Sequence, residues 1–388
     1  MTAALLAVAG LLAILASYRH PAVAVYVALL LLLLSSSWIS DIPDAGLVMR
    51  LGAVCLLLLP YGSRGEADAS VSTGRVGGPA RFVACIALML AVVGLVHGED
   101  GLVLESLGGL AATLLVLRSS LRRASSDELP RAALHSLMML VLGSLALLVY
   151  APNLGLQQGR LRGLMSNPNL LGFYAFLGLA LGLFGRLSLA MRVVAVGACL
   201  GTIWLTDSRT SFIAAAVLVI LRAASRSGLY WRIVGVIGLG LGSVAAFEAL
   251  AGNRALSTRD MSLYEAGRAL AENLWLGVGE GGIRYEVASG PLRAAAMGGI
   301  AGICLFILAW ALLFAYAVRA GAPVRALVLA AFVHNLSEGW AVSTFGAMLQ
   351  VFLVCVISLS APARTHEERR RAEVELDCQE PSAATLRP

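Results

Sequence analysis

The stretch FVACIALMLAVVGLVHGEDGLVLESLGGLAATLLVLR, residues 82–118, decides the fold class. Two apolar runs meet at His97-Gly98-Glu99-Asp100, and the second stops at Arg118. Each run approaches the roughly 20 apolar residues that carry a helix across a bilayer. Working outward, the same pattern recurs at 3–18, 22–39, 45–61, 132–151, 169–185, 190–206, 211–224, 233–251, 297–318, 326–337 and 344–360. The expected class is therefore all-α, a polytopic transmembrane helix bundle of about 12–13 spans over residues 1–361. A charged, disordered cytoplasmic tail is expected over 362–388.

Composition agrees. A chain that is 59% hydrophobic and only 13% charged cannot hide its apolar surface in a water-soluble fold. The net charge of +6 does not signal nucleic acid, because every basic residue is Arg and most sit in short loops between apolar runs. Five of the six cysteines lie inside apolar runs and none forms a CxxC pair, so neither a disulfide framework nor a zinc site is expected. No basic region precedes the first apolar run and a second follows at once, which predicts a retained transmembrane helix.

Orientation follows from arginine. Arg64, Arg75 and Arg81, then Arg118, Arg122, Arg123 and Arg131, Arg186 and Arg192, Arg222, Arg226 and Arg232, Arg319 and Arg325, and the tail arginines fall on alternate loops. Those loops are assigned to the cytoplasm, with the C-terminus, and an odd number of spans puts the N-terminus outside. The early outer loops carry acids instead: Asp41 and Asp44, then Glu99 and Asp100. The later ones break the preference with Arg160, Arg162, Arg209, Arg254, Arg259, Arg268, Arg284 and Arg293. A guanidinium placed against the orientation rule asks for an anionic partner, and its planar fork suits phosphate oxygens. The longest outer loop, about 252–296, is the expected seat of function.

Four segments carry candidate chemistry. In Arg160-Leu-Arg162-Gly163-Leu-Met-Ser166-Asn167-Pro168-Asn169, either Asn169 or Ser166 can cap the next helix, whose first amides favour an anion. The plainer reading is an ordinary cap with two interfacial arginines. In Asp207-Ser208-Arg209-Thr210-Ser211, Arg209 lies at the outer edge and Ser208 and Thr210 can bond a phosphate, unless Asp207 simply pairs with Arg209 in a tight turn. Ser257-Thr258-Arg259-Asp260 reads as a capping box opening an amphipathic helix, with Leu263, Ala266 or Gly267, Leu270 and Leu274 toward lipid and Arg259, Glu265, Arg268 and Glu272 off that stripe. Gly277, Gly279 and Gly282 beside Glu280 formally satisfy GxGxxG, but no strand precedes them, so a flexible turn near substrate is expected rather than a dinucleotide site. Finally, in His334-Asn335-Leu-Ser337-Glu338, the carboxylate at i+4 can hold the histidine as a general base, or the two make a polar contact between helix ends. Only His97 and His334 reach the outer face, so no metal site is expected.

Taken in order, these segments resemble the O-antigen ligase and O-antigen polymerase (Wzy-type) superfamily of bacterial membrane glycosyltransferases. The likeness rests on R-x-x-G-x-x-x-N-P-N at Arg160 to Asn169, L-T-x-S-R-T at Leu205 to Thr210, and the element from Arg259 to the L-G-V-G ending at Gly279, and it spans residues 150–340. The resemblance implies a GT-C-like enzyme of the cytoplasmic membrane that needs no metal or cofactor. Its substrate would be a polyprenyl-pyrophosphate-linked oligosaccharide at the outer face, joined to a glycan or lipid acceptor, with other polysaccharide assembly proteins as possible company. Arg160 or Arg162, Arg209 and Arg259 would then bind the pyrophosphate, with Asn169, Ser208, Arg268, Gly277, Gly279 and Glu280 lining the site. Ligases of the family carry His-Asn in the long loop, where this chain reads Ala288-Ser289-Gly290-Pro291-Leu292-Arg293. The base then falls to His334, Glu338, Glu280 or Glu286, and a polymerase is favoured over a ligase. Two other classes remain: a transporter or lipid flippase, which calls for buried mid-span charges or broken helices in repeated halves, and a non-catalytic partner in polysaccharide assembly. Arg50 and Glu105 are the only charges well inside the expected spans.

Overall fold

The computed structural model describes residues 21–38, 45–58, 69–125, 127–224, 257–343 and 346–360. The expected spans 3–18 and 233–251, the tail and Arg254 lie outside the described residues, as do the side chains of Ser257, Thr258 and Arg259.

The described chain is mostly helical: α1 (Pro21–Leu34), α2 (Ala45–Leu58), α3 (Ala69–His97), α4 (Asp100–Arg123), α5 (Glu128–Tyr150), the single turn α6 (Pro152–Gly155), α7 (Pro168–Phe184), α8 (Leu189–Leu205), α9 (Arg209–Ala224), α10 (Ser257–Glu272), α11 (Gly290–Ala320), α12 (Ala322–Ser337) and α13 (Ala347–Leu359). Among the described residues four helices are long and apolar enough to cross a membrane, Gly74–His97, Asp100–Arg123, Glu128–Tyr150 and Gly290–Ala320. Six more apolar helices are shorter, of 10–17 residues. Several apolar helices of this kind make a membrane protein the natural reading.

Local chemistry sets the helix ends. Asp100 stands in the first turn of α4 and Arg122 and Arg123 in its last, each sign matching the helix dipole. Ser125 and Glu128 exchange reciprocal bonds ahead of α5, Ser125 N to Glu128 Oε2 at 2.8 Å and Glu128 N to Ser125 Oγ at 3.3 Å. The cap of α7 is Asn167, whose Oδ1 accepts from Leu170 N at 2.9 Å. Neither Ser166 nor Asn169 does this, because Pro168 fits the first helical position and leaves the preceding residue as cap.

α7 is apolar all round and buried nearly throughout, as such a helix must be. It packs against α5, α8 and α9, while α13 fills the centre against α1, α4 and α5. α3 packs on α4 and α11, α9 on α12, and α10 on α11. A two-stranded hairpin, β1 (Leu156–Gln157) and β2 (Arg160–Leu161), interrupts the all-α pattern between α6 and α7. Its turn places Gln158 and Gly159 at φ 52° and 78°, the mirror-image geometry that matches strand twist.

The long loop ending at 296 is shorter than its sequence implies, because α11 starts at Gly290 and is broken at Gly299 (φ 59°, ψ −147°). The groups freed by the break are taken by residues 274–279. Val278 N and Gly279 N donate to Ala296 O and Met297 O, and Ile300 N and Ala301 N donate to Leu274 O and Trp275 O, all at 2.9–3.1 Å. The two backbones touch, since a Cβ on Gly299 would lie 2.5 Å from the Trp275 carbonyl carbon and one on Gly277 2.5 Å from Ala296 O. The glycine turn is therefore a packed lock on α11, not a flexible loop.

Candidate functional site at one end of the bundle

One end collects the cationic loops: Arg186 pairs with Asp127 at 3.5 Å, and the Arg222 guanidinium lies over Phe184 at 5.3 Å. The opposite end collects the hairpin, the α8–α9 turn, the glycine turn and the α12 terminus. At its centre Arg160 donates through Nε to Thr206 O (2.9 Å) and through Nη2 to Asn169 Oδ1 (2.8 Å) and Asp207 O (3.2 Å). Asn169 passes the connection on, its Nδ2 donating to Glu338 Oε1 at 3.0 Å. Arg160, Asn169 and Glu338, drawn from the hairpin, α7 and the α12 terminus, form one chain of hydrogen bonds.

Arg209 opens α9 two residues beyond the Asp207 carbonyl that Arg160 holds, and it is exposed. Ser208 is buried beneath it, donating to Ser211 Oγ at 3.0 Å and accepting from Ser211 N at 3.4 Å, so its hydroxyl serves the helix start. Asp207 adopts φ 47° and its carboxylate makes no ion pair with Arg209. Arg162 turns away and donates to Leu154 O at 3.1 Å. Among the described residues no carboxylate lies within ion-pair distance of Arg160, Arg162 or Arg209.

His334 departs from the expected arrangement. It is fully buried between Phe173, Phe176 and Trp340, with ring centroids 4.9, 6.1 and 6.4 Å away. Trp340 Nε1 donates to His334 Nδ1 at 3.2 Å, and Nε2 lies 3.1 Å from Ser211 Oγ. Indole is only a donor, so Nδ1 carries no proton and the neutral ring donates from Nε2. Both ring nitrogens are committed, and the bonded partner shown for Glu338 is Asn169 rather than the histidine one turn before it.

A second cluster lies under α10. Glu265, with no exposed surface, accepts both Nε and Nη2 of Arg268 and the backbone N–H of Arg284 at 2.7 Å. Arg268 also bonds Glu272 and donates to Gly282 O at 2.7 Å. The Arg268 hydrogen bonds hold the Glu265 carboxyl below its ordinary range, and Glu265 and Glu272 raise Arg268. Arg268 thus belongs to this knot, while Gly277 and Gly279 pack against α11 and against His97 and Glu99. Glu280 pairs with Arg293 at 2.8 Å, and the Arg293 side chain reaches Gly339. On α10, Leu263 and Tyr264 face outward with Leu274 and Trp275 just beyond, while Ala266 turns inward with Ala269.

Sequence reading missed Glu99. Its carboxylate accepts from the backbone of Glu280 (3.1 Å) and Gly281 (2.7 Å), while His97 Nε2 donates to Leu276 O at 3.1 Å. An anion does sit on the glycine turn, and it is the chain's own. Ser211 and Trp340 close the segments that begin at Asp207 and His334, but sequence reading assigned them no role, since nothing in their spacing ties them to the histidine. No protein-family model matches this chain, and no curated protein matches it either.

Proposed function

We propose that the protein is a glycosyltransferase of surface polysaccharide assembly, moving a glycan from a polyprenyl-pyrophosphate carrier to a glycan or lipid acceptor at the outer face of the cytoplasmic membrane. One observation carries the reading: among the described residues, Arg160, Arg162 and Arg209, at the end of the bundle away from the cationic loops, have no carboxylate within ion-pair distance. A leaving pyrophosphate is an anion for which such fixed charge is worth most in the transition state. The acceptor hydroxyl attacks the sugar's anomeric carbon, the carbon–oxygen bond to pyrophosphate breaks, and the hydroxyl proton passes to Glu338. Arg160 and Arg209, joined by Arg259 on the family pattern, take the charge of the departing pyrophosphate. With the cationic loops in the cytoplasm, the C-terminus is cytoplasmic as well, and a GT-C-like bundle of about 12–13 spans is part of the same reading.

The break in α11 is the one feature that favours a transporter or flippase, whose sites use broken helices. Here the freed backbone groups are taken by residues 274–279, and the small cavity beside the break is lined by apolar side chains such as Met89, Val93 and Leu305. The test is a glycan assay in membranes with Arg160→Ala, Arg209→Ala and Glu338→Gln at matched expression. Loss of long chains with single repeats accumulating on the carrier supports a polymerase; loss of transfer with long carrier-linked chains supports a ligase. Wild-type glycan in all three variants overturns the catalytic reading.

A further inference from the structure

We infer that His334 is a positioning residue, a fixed neutral strut that orients the first turn of α9 and with it Arg209. The inference rests on the proposed function for its catalytic consequence and on geometry alone for the strut. The hydrogen bonds run in one direction. Trp340 Nε1–H donates to His334 Nδ1, His334 Nε2–H donates to Ser211 Oγ, and Ser208 Oγ–H donates to the same oxygen. Ser208 precedes Arg209 and Ser211 follows it by two, so the serines flank the arginine within one helical turn.

Every member of the relay is buried, Trp340 the least so at 8% exposed. In such surroundings an unpaired donor is costly, so the histidine ties the 3-10 turn Gly339–Ala341 to the start of α9. The approach of α7 completes the setting, since a Cβ on Gly172 would stand 2.8 Å from Ser211 Oγ. Abstracting a proton would require Nδ1 to let go of the indole or Nε2 to lose the proton it gives Ser211. A general base offers a free lone pair to substrate, and His334 has none. Glu338, half-buried beside Asn169, is the carboxylate that the proposed function uses as base instead.

The experiment pairs His334→Gln, whose amide nitrogen can replace the donor at Nε2, with His334→Leu, which removes it. Hydrogen exchange of the full-length protein in nanodiscs reads the strut without reference to function. Exchange across residues 205–214 is expected to rise at least tenfold in His334→Leu and to stay near wild type in His334→Gln. In the glycan assay, His334→Gln is expected to keep most of the long chains and His334→Leu to fall to the level of Arg209→Ala. Unchanged exchange in both variants overturns the strut. Unchanged exchange in His334→Gln with its glycan lost as fully as in His334→Leu makes the ring a reacting group and overturns the positioning role. If exchange behaves as expected but Arg209→Ala leaves glycan intact, the strut stands and the proposed function falls.

Discussion

Arg268 and Arg209 look alike in the sequence, both arginines on loops where the orientation rule disfavours them, yet the structure treats them oppositely. Arg268 has Glu265 three residues before it and Glu272 four after, and both close on it. Among the described residues Arg209 has no carboxylate within ion-pair distance, and its neighbour Arg160 is held by two carbonyls and an amide oxygen, all neutral. One guanidinium holds a loop to a helix; the other is exposed, and the proposed function gives its charge to the pyrophosphate. Misplaced arginine is therefore a weak sign of an anion site until its local acids have been counted.

Backbone substitutions test the same contrast most severely. Gly299 and Gly159 both sit at positive φ, 59° and 78°. A Cβ at Gly299 strikes the Trp275–Gly277 backbone, whereas one at Gly159 meets nothing within 4 Å. Gly299→Ala is expected to cost about 3 kcal/mol or more and to lower the yield of folded protein in detergent. Gly159→Ala should cost only about 1 kcal/mol of local strain. Equal thermal shifts in the two variants would mean that the glycine turn is not the rigid member of the pair.

Next in size are the arginines themselves. Arg268→Met leaves the buried Glu265 carboxylate with a single backbone donor from Arg284, and unfolding in nanodiscs should begin several degrees lower. Arg209→Ala removes an exposed side chain without an ion-pair partner among the described residues, so its stability should stay within about 0.5 kcal/mol of wild type while glycan synthesis is lost. A destabilised Arg209→Ala with a silent Arg268→Met would reverse the comparison.

Acid provides a gentler probe. Glu265 is held below its ordinary value of 4.5 chiefly by its hydrogen bonds to Arg268. Its contribution to stability is therefore complete above that value and disappears as pH falls from there through the lower folded-state value. Glu265→Gln should be less stable than wild type at neutral pH and should lack this acid-dependent component. Superimposable stability–pH curves for the two proteins would remove the carboxylate from the account.

The helices were legible because apolar length is a one-dimensional signal. The long described helices cover the expected runs, but α3 begins at Ala69 and α11 at Gly290, well ahead of the expected 82 and 297, and the single turn α6 lies on no expected span. The break at Gly299 was not legible, since it depends on the turn of residues 274–279 that only the folded chain brings alongside. Arg160, Asn169, Arg209 and Glu338 were named from sequence, yet their connection was not: 169 residues separate the Asn169 and Glu338 partners. The His334–Glu338 pairing failed for a simple reason. Spacing of four puts two residues on one helical face only while the helix lasts, and Glu338 is already extended at φ −134°, ψ 122°.

Arg162 supplies the smallest and most selective prediction. In the sequence, Arg160 opens the R-x-x-G pattern and Arg162 lies inside it, and either could take the pyrophosphate on the family resemblance. The hairpin separates them. Side chains two apart share a face of a strand, but Arg160 is in the ladder opposite Gln157, while Arg162 lies past its end and turns to Leu154 O. Arg162→Ala gives up one hydrogen bond to a neutral acceptor, worth less than about tenfold in any rate that depends on it. Arg160→Ala unties Asn169 from the Thr206–Asp207 turn and takes the charge from the centre of the cluster. Chain-length profiles should therefore be near wild type for Arg162→Ala and collapsed for Arg160→Ala. The opposite order would place the anion against the outer rim of the hairpin, beside Leu154, and would move the proposed site away from Glu338.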